Sequence, residues 1–210
     1  MKEIYTIGHS NYPVEFLLKR LNIHKVNCLI DVRSTPYSKY TPQYNAPNLK
    51  KYLNSMGIYY MHMGEELGAR QLDENLYSSE GYLDFNKFSR TDLFQRGIER
   101  VKDGMKKDFK VALMCTEKDP IDCHRNILVA REFYKQGYNV KNILINSKIE
   151  SQSELEQRLL EMYFPNRLQS SIFELIEGTE DEKVLIDKAY KRRNSEIGYK
   201  LSSNRDEEEE

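Results

Sequence analysis

The chain has no tryptophan, only three cysteines and only six prolines in 210 residues. Three thiols in a chain of this length do not make a disulfide scaffold, so a reducing, cytoplasmic setting is expected. No apolar run approaches the roughly 18 residues of a membrane span. The opening MKEIYTIGHS lacks the basic-then-apolar layout of a leader. The patterns G-x-x-x-x-G-K-[ST], G-x-G-x-x-G and G-x-S-x-G are all missing. Ordinary ATPase, dinucleotide-binding and esterase readings lose support with them, and no motif implies a cofactor. A strong charge of one sign is missing too. The net charge is −1, with −4 on residues 205–210 and +3 on the rest, too little for a dedicated basic nucleic-acid binder.

What is present describes a globular chain able to bury a core: 39% apolar residues, both charge signs and fifteen tyrosines. Short apolar runs at 3–8, 27–33, 58–63, 110–115 and 139–145 read as strands. Helical spacing predicts helices over 14–24, 46–57, 84–107 and 124–137, with Gly57 and Gly137 as stops. Near-continuous apolar strands separated by helices predict an α/β doubly wound fold with a mainly parallel, five-stranded sheet. Residues 64–83 lack periodicity and read as a lid-like loop. From Ser151 the pattern is helical only: a capping box at 151–154, then helical stretches at 167–178 and 180–193. The expected organisation is an α/β domain over 1–148, a helical extension over 149–194 and a disordered acidic tail over 195–210.

In such sheets ligands bind beyond the carboxyl ends of the strands, and the unusual polar residues collect there. His9 and Ser10 follow the first strand, Asp31, Arg33, Tyr37 and Ser38 the second, Glu65 and Glu66 the third, and MCTEKDPIDCHRN (114–126) the fourth. Arg125, Arg33 and the start of the next helix are candidates to hold a phosphate or carboxylate, helped by Ser10, Ser38 and Tyr37; alternatively Arg125 braces its loop against Glu117, Asp119 or Asp122. Glu117 and Asp31 are candidate acids or bases, with His9 or His124 assisting; Asp31 could equally tether Arg33. Cys115 and Cys123 are read first as small buried residues, second as nucleophiles and third, with His124, as metal ligands. The tyrosine-rich loop at 33–45 resembles surfaces on which bases stack.

The stretches IGHS (7–10), DVRSTPYS (31–38), ELG (66–68) and CTEKDPIDCHR (115–125) together resemble the domain of unknown function 488 family. The resemblance covers roughly residues 3–146 and implies a fold and a shared polar edge, without an agreed reaction. Its signature positions are Gly8, His9, Ser10, Asp31, Arg33, Pro36, Ser38, Gly68, Cys115, Glu117, Cys123, His124 and Arg125. The leading expectation is a hydrolase or group transferase acting on a phosphate-bearing substrate such as a nucleotide or nucleic-acid end. The alternatives are a non-catalytic nucleotide or nucleic-acid binding module, and a thiol or metal-dependent enzyme centred on Cys115 and Cys123.

Overall fold

A computed structural model describes residues 2–167 and 181–201. In chain order these form β1 (Glu3–Gly8), α1 (Val14–Ile23), β2 (Cys28–Asp31), α2 (Ala46–Ser55), β3 (Tyr59–His62), α3 (Gly64–Leu67), α4 (Phe85–Ser89), α5 (Asp92–Lys106) and β4 (Val111–Cys115). A π-helix (Arg125–Ala130) then runs directly into α6 (Arg131–Lys135), followed by β5 (Asn139–Ile143), β6 (Ile149–Ser151), α7 (Gln152–Tyr163) and α8 (Glu182–Ile197). The sheet order is β3-β2-β4-β1-β5-β6. All neighbours are parallel except β5 and β6. The sheet thus has six strands where five are predicted. The extra one is a three-residue antiparallel edge, too short and polar to show periodicity.

Side chains alternate across a strand, and the two faces fill two separate cores. Val111, Leu113 and Cys115 of β4 pack with α5, the π-helix, α7 and α8. Ala112 and Met114 pack on the other face with Leu17 and Leu21 of α1 and Leu49 and Leu53 of α2. The connection leaving β1 therefore crosses one face toward β2, and that leaving β4 crosses the other toward β5. Adjacent strands whose connections lead apart on opposite faces form a topological switch point, here between the carboxyl ends of β2, which leads outward to β3, and β4, which leads the other way to β5.

Three other predicted boundaries move. Residues 84–107 form two helices, because Thr91 caps a new one by accepting a hydrogen bond from Phe94 N. The 64–83 stretch contains α3 and a 3-10 turn at Glu74–Leu76. α8 runs on through Ile197, and Lys200 bridges to Tyr82, so ordered structure continues past the expected tail boundary. Most of the predicted 167–178 helix, and residues 202–210, lie outside the described residues. Among the described residues no helix is long and apolar enough to cross a membrane.

Candidate functional site

The candidate residues separate into two clusters, one on each side of the sheet's carboxyl edge. On the α1/α2 side lies a buried network around Asp31. Arg33 presents Nε 2.9 Å from Asp31 Oδ1 and Nη2 2.6 Å from Oδ2, a bidentate fork. Tyr60 donates its hydroxyl to Oδ2 at 2.7 Å, and the backbone N–H of Arg33 caps Oδ1 at 3.1 Å. Arg33 also donates to Tyr44 O at 2.8 Å. His9 stacks on the Tyr44 ring, centroids 3.8 Å apart. Its Nδ1–H donates to Ser10 O at 2.5 Å, leaving Nε2 to face Arg33 Nη1 and Thr116 Oγ1. Burial and then the Arg33 guanidinium lower its pKa to about 4. Asp31 is fully buried and tethers Arg33, which makes this side an internal brace rather than an open pocket.

On the other side the end of β4 meets the start of the π-helix. Cys115 Sγ lies 3.8 Å and Cys123 Sγ 4.0 Å from His124 Nδ1. Cys123 Sγ is 2.8 Å from Glu117 Oε2. His124 Nε2 is 2.9 Å from Val32 O. Both sulfurs and the imidazole are buried, whereas Glu117 is exposed with its carboxylate turned inward. Hydrogen bonding to Cys123, added to burial, raises the Cys115 thiol well above its ordinary value. Burial alone would raise Cys123, but Cys115, Arg125 and His124 together bring it well below. Burial, then Cys123, raises Glu117. The two thiols are thus shifted in opposite directions, Cys115 upward and Cys123 downward. Cys115, Cys123 and His124 each offer one ligand atom, all within 4.8 Å of one another.

Local structure explains the convergence. Pro120 starts a 3-10 turn that Asp119 caps by accepting from Ile121 N. The π-helix that follows is an irregularity frequent at functional sites. It is held from within by Asn126, whose amide bonds Asn142 at 2.7 Å and Gln152 at 3.0 and 3.1 Å. The C-terminal helices grip the loop from outside. Arg158 of α7 pairs with Asp119, and Arg193 of α8 pairs with Asp122 and donates to Ile121 O.

Arg125 and Arg33, both expected to face an anion, are turned inward. Arg125 is fully buried and donates to Glu117 O at 2.8 Å and Lys118 O at 3.5 Å. It braces the loop through backbone carbonyls, not through the predicted carboxylates. Arg20 lies beside it, donating to Gly8 O at 2.8 Å. Neither guanidinium has a carboxylate partner among the described residues, and each has an unbonded Nε. Gly8 is required where the chains cross: a Cβ there would sit 1.9 Å from Glu117 O. Of the remaining candidates, Tyr37 is exposed, Ser38 accepts from the N–H groups of Tyr40 and Thr41, and Ser10 is half-buried with φ 50°. Glu66 pairs with Arg100. Arg20, Tyr44, Tyr60 and Thr116 were not singled out from the sequence. Arg20 left one signal, a charge on the Leu17–Leu21 stripe of α1.

The fold and this edge define an open, mainly parallel α/β protein with a thiol–imidazole–carboxylate cluster at its switch point. The chain belongs to the family described as Domain of unknown function DUF488, which matches residues 13–131, more than half of it. Gly8, His9 and Ser10 precede the matched span. No curated protein and no solved structure matches the chain.

Proposed function

We propose that the chain is a hydrolase or group transferase acting on a phosphate-bearing substrate, with Cys115, Glu117, Cys123 and His124 as its reaction centre. The observation that carries this reading is the convergence of two sulfurs, an imidazole and a carboxylate at the topological switch point. Glu117 is the acid–base group: its carboxylate faces the cluster while the residue reaches solvent, and burial and then Cys123 raise its pKa above the ordinary carboxylate value. Support for an anionic substrate comes from the buried, carboxylate-free guanidiniums of Arg20 and Arg125 behind the edge. They make the local potential positive without touching solvent. Their part is to position and polarise, replacing the direct anion contacts expected of Arg125 and Arg33.

The test is a panel of nitrophenyl phosphate mono- and diesters and nucleotides, assayed by turnover and by thermal shift. Glu117→Gln is expected to lower turnover by about 10²–10⁴-fold while ligand-induced stabilisation persists. Turnover unchanged in Glu117→Gln would remove Glu117 from the chemistry and the reading with it.

A second reading, a nucleic-acid binding module, is favoured by a separate feature. A cleft of about 840 Å³ between α4, α6 and α8 is lined by Lys87, Arg90, Arg131, Lys135, Lys188 and Lys191, against Asp84 and Asp187. Six basic side chains face two acidic ones, so the cleft holds more positive charge than its acids neutralise. If single-stranded RNA binds there, Arg90→Ala and Lys191→Ala will each reduce the slope of log K against log salt by about 0.7. Fluorescence anisotropy measures this, and slopes equal to wild type would dismiss the cleft.

A further inference from the structure

The geometry points to a metal site: Cys115 Sγ, Cys123 Sγ and His124 Nδ1 are three ligands for a zinc-class divalent cation, with Glu117 beside the remaining position. This inference deepens the proposed reaction centre and rests on that reading for its function, though not for its geometry.

Three observations carry it. First, the donor separations fit coordination better than hydrogen bonding. Cys115 Sγ and Cys123 Sγ stand 3.8 and 4.0 Å from His124 Nδ1, near the outer limit for a sulfur contact. A tetrahedral ion with bonds of about 2.3 Å to sulfur and 2.0 Å to nitrogen places such ligand atoms about 3.5 Å apart. Small inward shifts of the side chains close that difference.

Second, the imidazole is oriented for ligation. Val32 O can only accept, so His124 Nε2, 2.9 Å away, carries the hydrogen. The lone pair is then on Nδ1, facing both sulfurs. A ligating histidine whose other nitrogen donates to a backbone carbonyl is the usual outer-shell arrangement of metal sites.

Third, the three buried ligands lie beside one residue that reaches solvent. The two sulfurs and the imidazole are buried, while Glu117, with a carboxylate oxygen 2.8 Å from Cys123 Sγ, is exposed. Three protein ligands with an accessible fourth position are the composition of a catalytic site, whereas structural zinc sites are closed by four. All three ligands come from a ten-residue segment that joins β4 to the π-helix and is clamped by Arg158 and Arg193. The donor set, two thiolates and an imidazole, selects zinc-class ions over magnesium or calcium. A cation held there would supply an activated water to the adjacent Glu117 carboxylate.

The test uses the full chain, stripped with chelator and reloaded with Co²⁺ or Zn²⁺. One equivalent is expected per chain, and the cobalt form should show thiolate-to-metal charge transfer with intense tetrahedral d–d bands. Cys115→Ser, Cys123→Ser and His124→Ala are expected to weaken binding by more than ~100-fold, because loss of an outer-shell partner alone weakens it by about 10–100-fold. Cys28→Ser, at the start of β2, and Glu117→Gln should keep the full equivalent. Binding well below one equivalent, or a cobalt spectrum without sulfur charge transfer, would overturn the site; both are read on wild type, so misfolded variants cannot obscure them. Full binding together with unchanged turnover of phosphate esters in Glu117→Gln supports the metal site and removes the reaction-centre reading. No binding with turnover lost in Glu117→Gln does the reverse.

Discussion

Asp31→Asn is expected to lower unfolding free energy by about 3–5 kcal/mol, the range for breaking one side of a buried ion pair. The size of the effect follows from what is left behind. Asp31 is fully buried and its two oxygens take four hydrogen bonds, two from the Arg33 guanidinium, one from the Arg33 backbone and one from Tyr60. An asparagine keeps the shape, but the guanidinium is left without its counter-charge in a place water does not reach. Adding Arg33→Met should recover much of the loss, because the stranded charge goes with it. Urea unfolding of the two single variants and the double variant measures the coupling. A loss below about 1 kcal/mol for Asp31→Asn would mean that solvent reaches Arg33 after all.

The second large effect concerns pH. His9 has a folded-state pKa of about 4, pushed down first by burial and then by Arg33, against about 6.5 in the unfolded chain. As pH falls below 6.5 the unfolded imidazole takes up a proton and the folded one does not, so protons favour unfolding. The associated stability is complete above pH 6.5, declines through the interval and is lost below about 4, amounting to about 3 kcal/mol. His9→Gln removes the titration. The stability difference between wild type and His9→Gln should therefore shrink by about that amount between pH 7 and pH 4, as read from urea midpoints. A difference constant across that interval would show that His9 is as freely protonated in the folded state as in the unfolded one.

These effects arise on the side of the sheet opposite the thiol cluster, a division not legible in the sequence. Asp31, Glu117, His9 and His124 were all readable as residues at one edge. Which face each occupies depends on the register between β2, β4 and β1, and no single strand encodes that. Asp31 shares the parity of Leu29, and Cys115 that of Leu113, yet only pairing shows these parities to be opposite. The five principal strands were readable because strands buried on both faces are continuous apolar runs. Thr91 left a capping signal within 84–107 that helical spacing overrode. The π-helix left none, since its geometry is set by Asn126 bonding to residues on β5 and α7. The inward turn of Arg125 escaped for a similar reason: a guanidinium at a helix start looks alike in sequence whether it faces a ligand or its own loop.

The place of β4 in the sheet also sets the order in which the sheet can assemble as the chain is made. β1 pairs only with β4 and β5, and β2 only with β3 and β4. A nascent chain that has emerged through β3 has β2 and β3 to join, but β1 has no neighbour at all. Residues 111–115 are the keystone that enters between strands synthesised long before. With them come Cys115, the Val32 N–H bond to Met114 O, and the extension that ties His9 N to Cys115 O. The thiol cluster and the contact of His9 with Thr116 therefore wait for β4 and the loop after it, whereas the Asp31–Arg33–Tyr60 bonds lie wholly within residues 31–60 and need only β2 and β3.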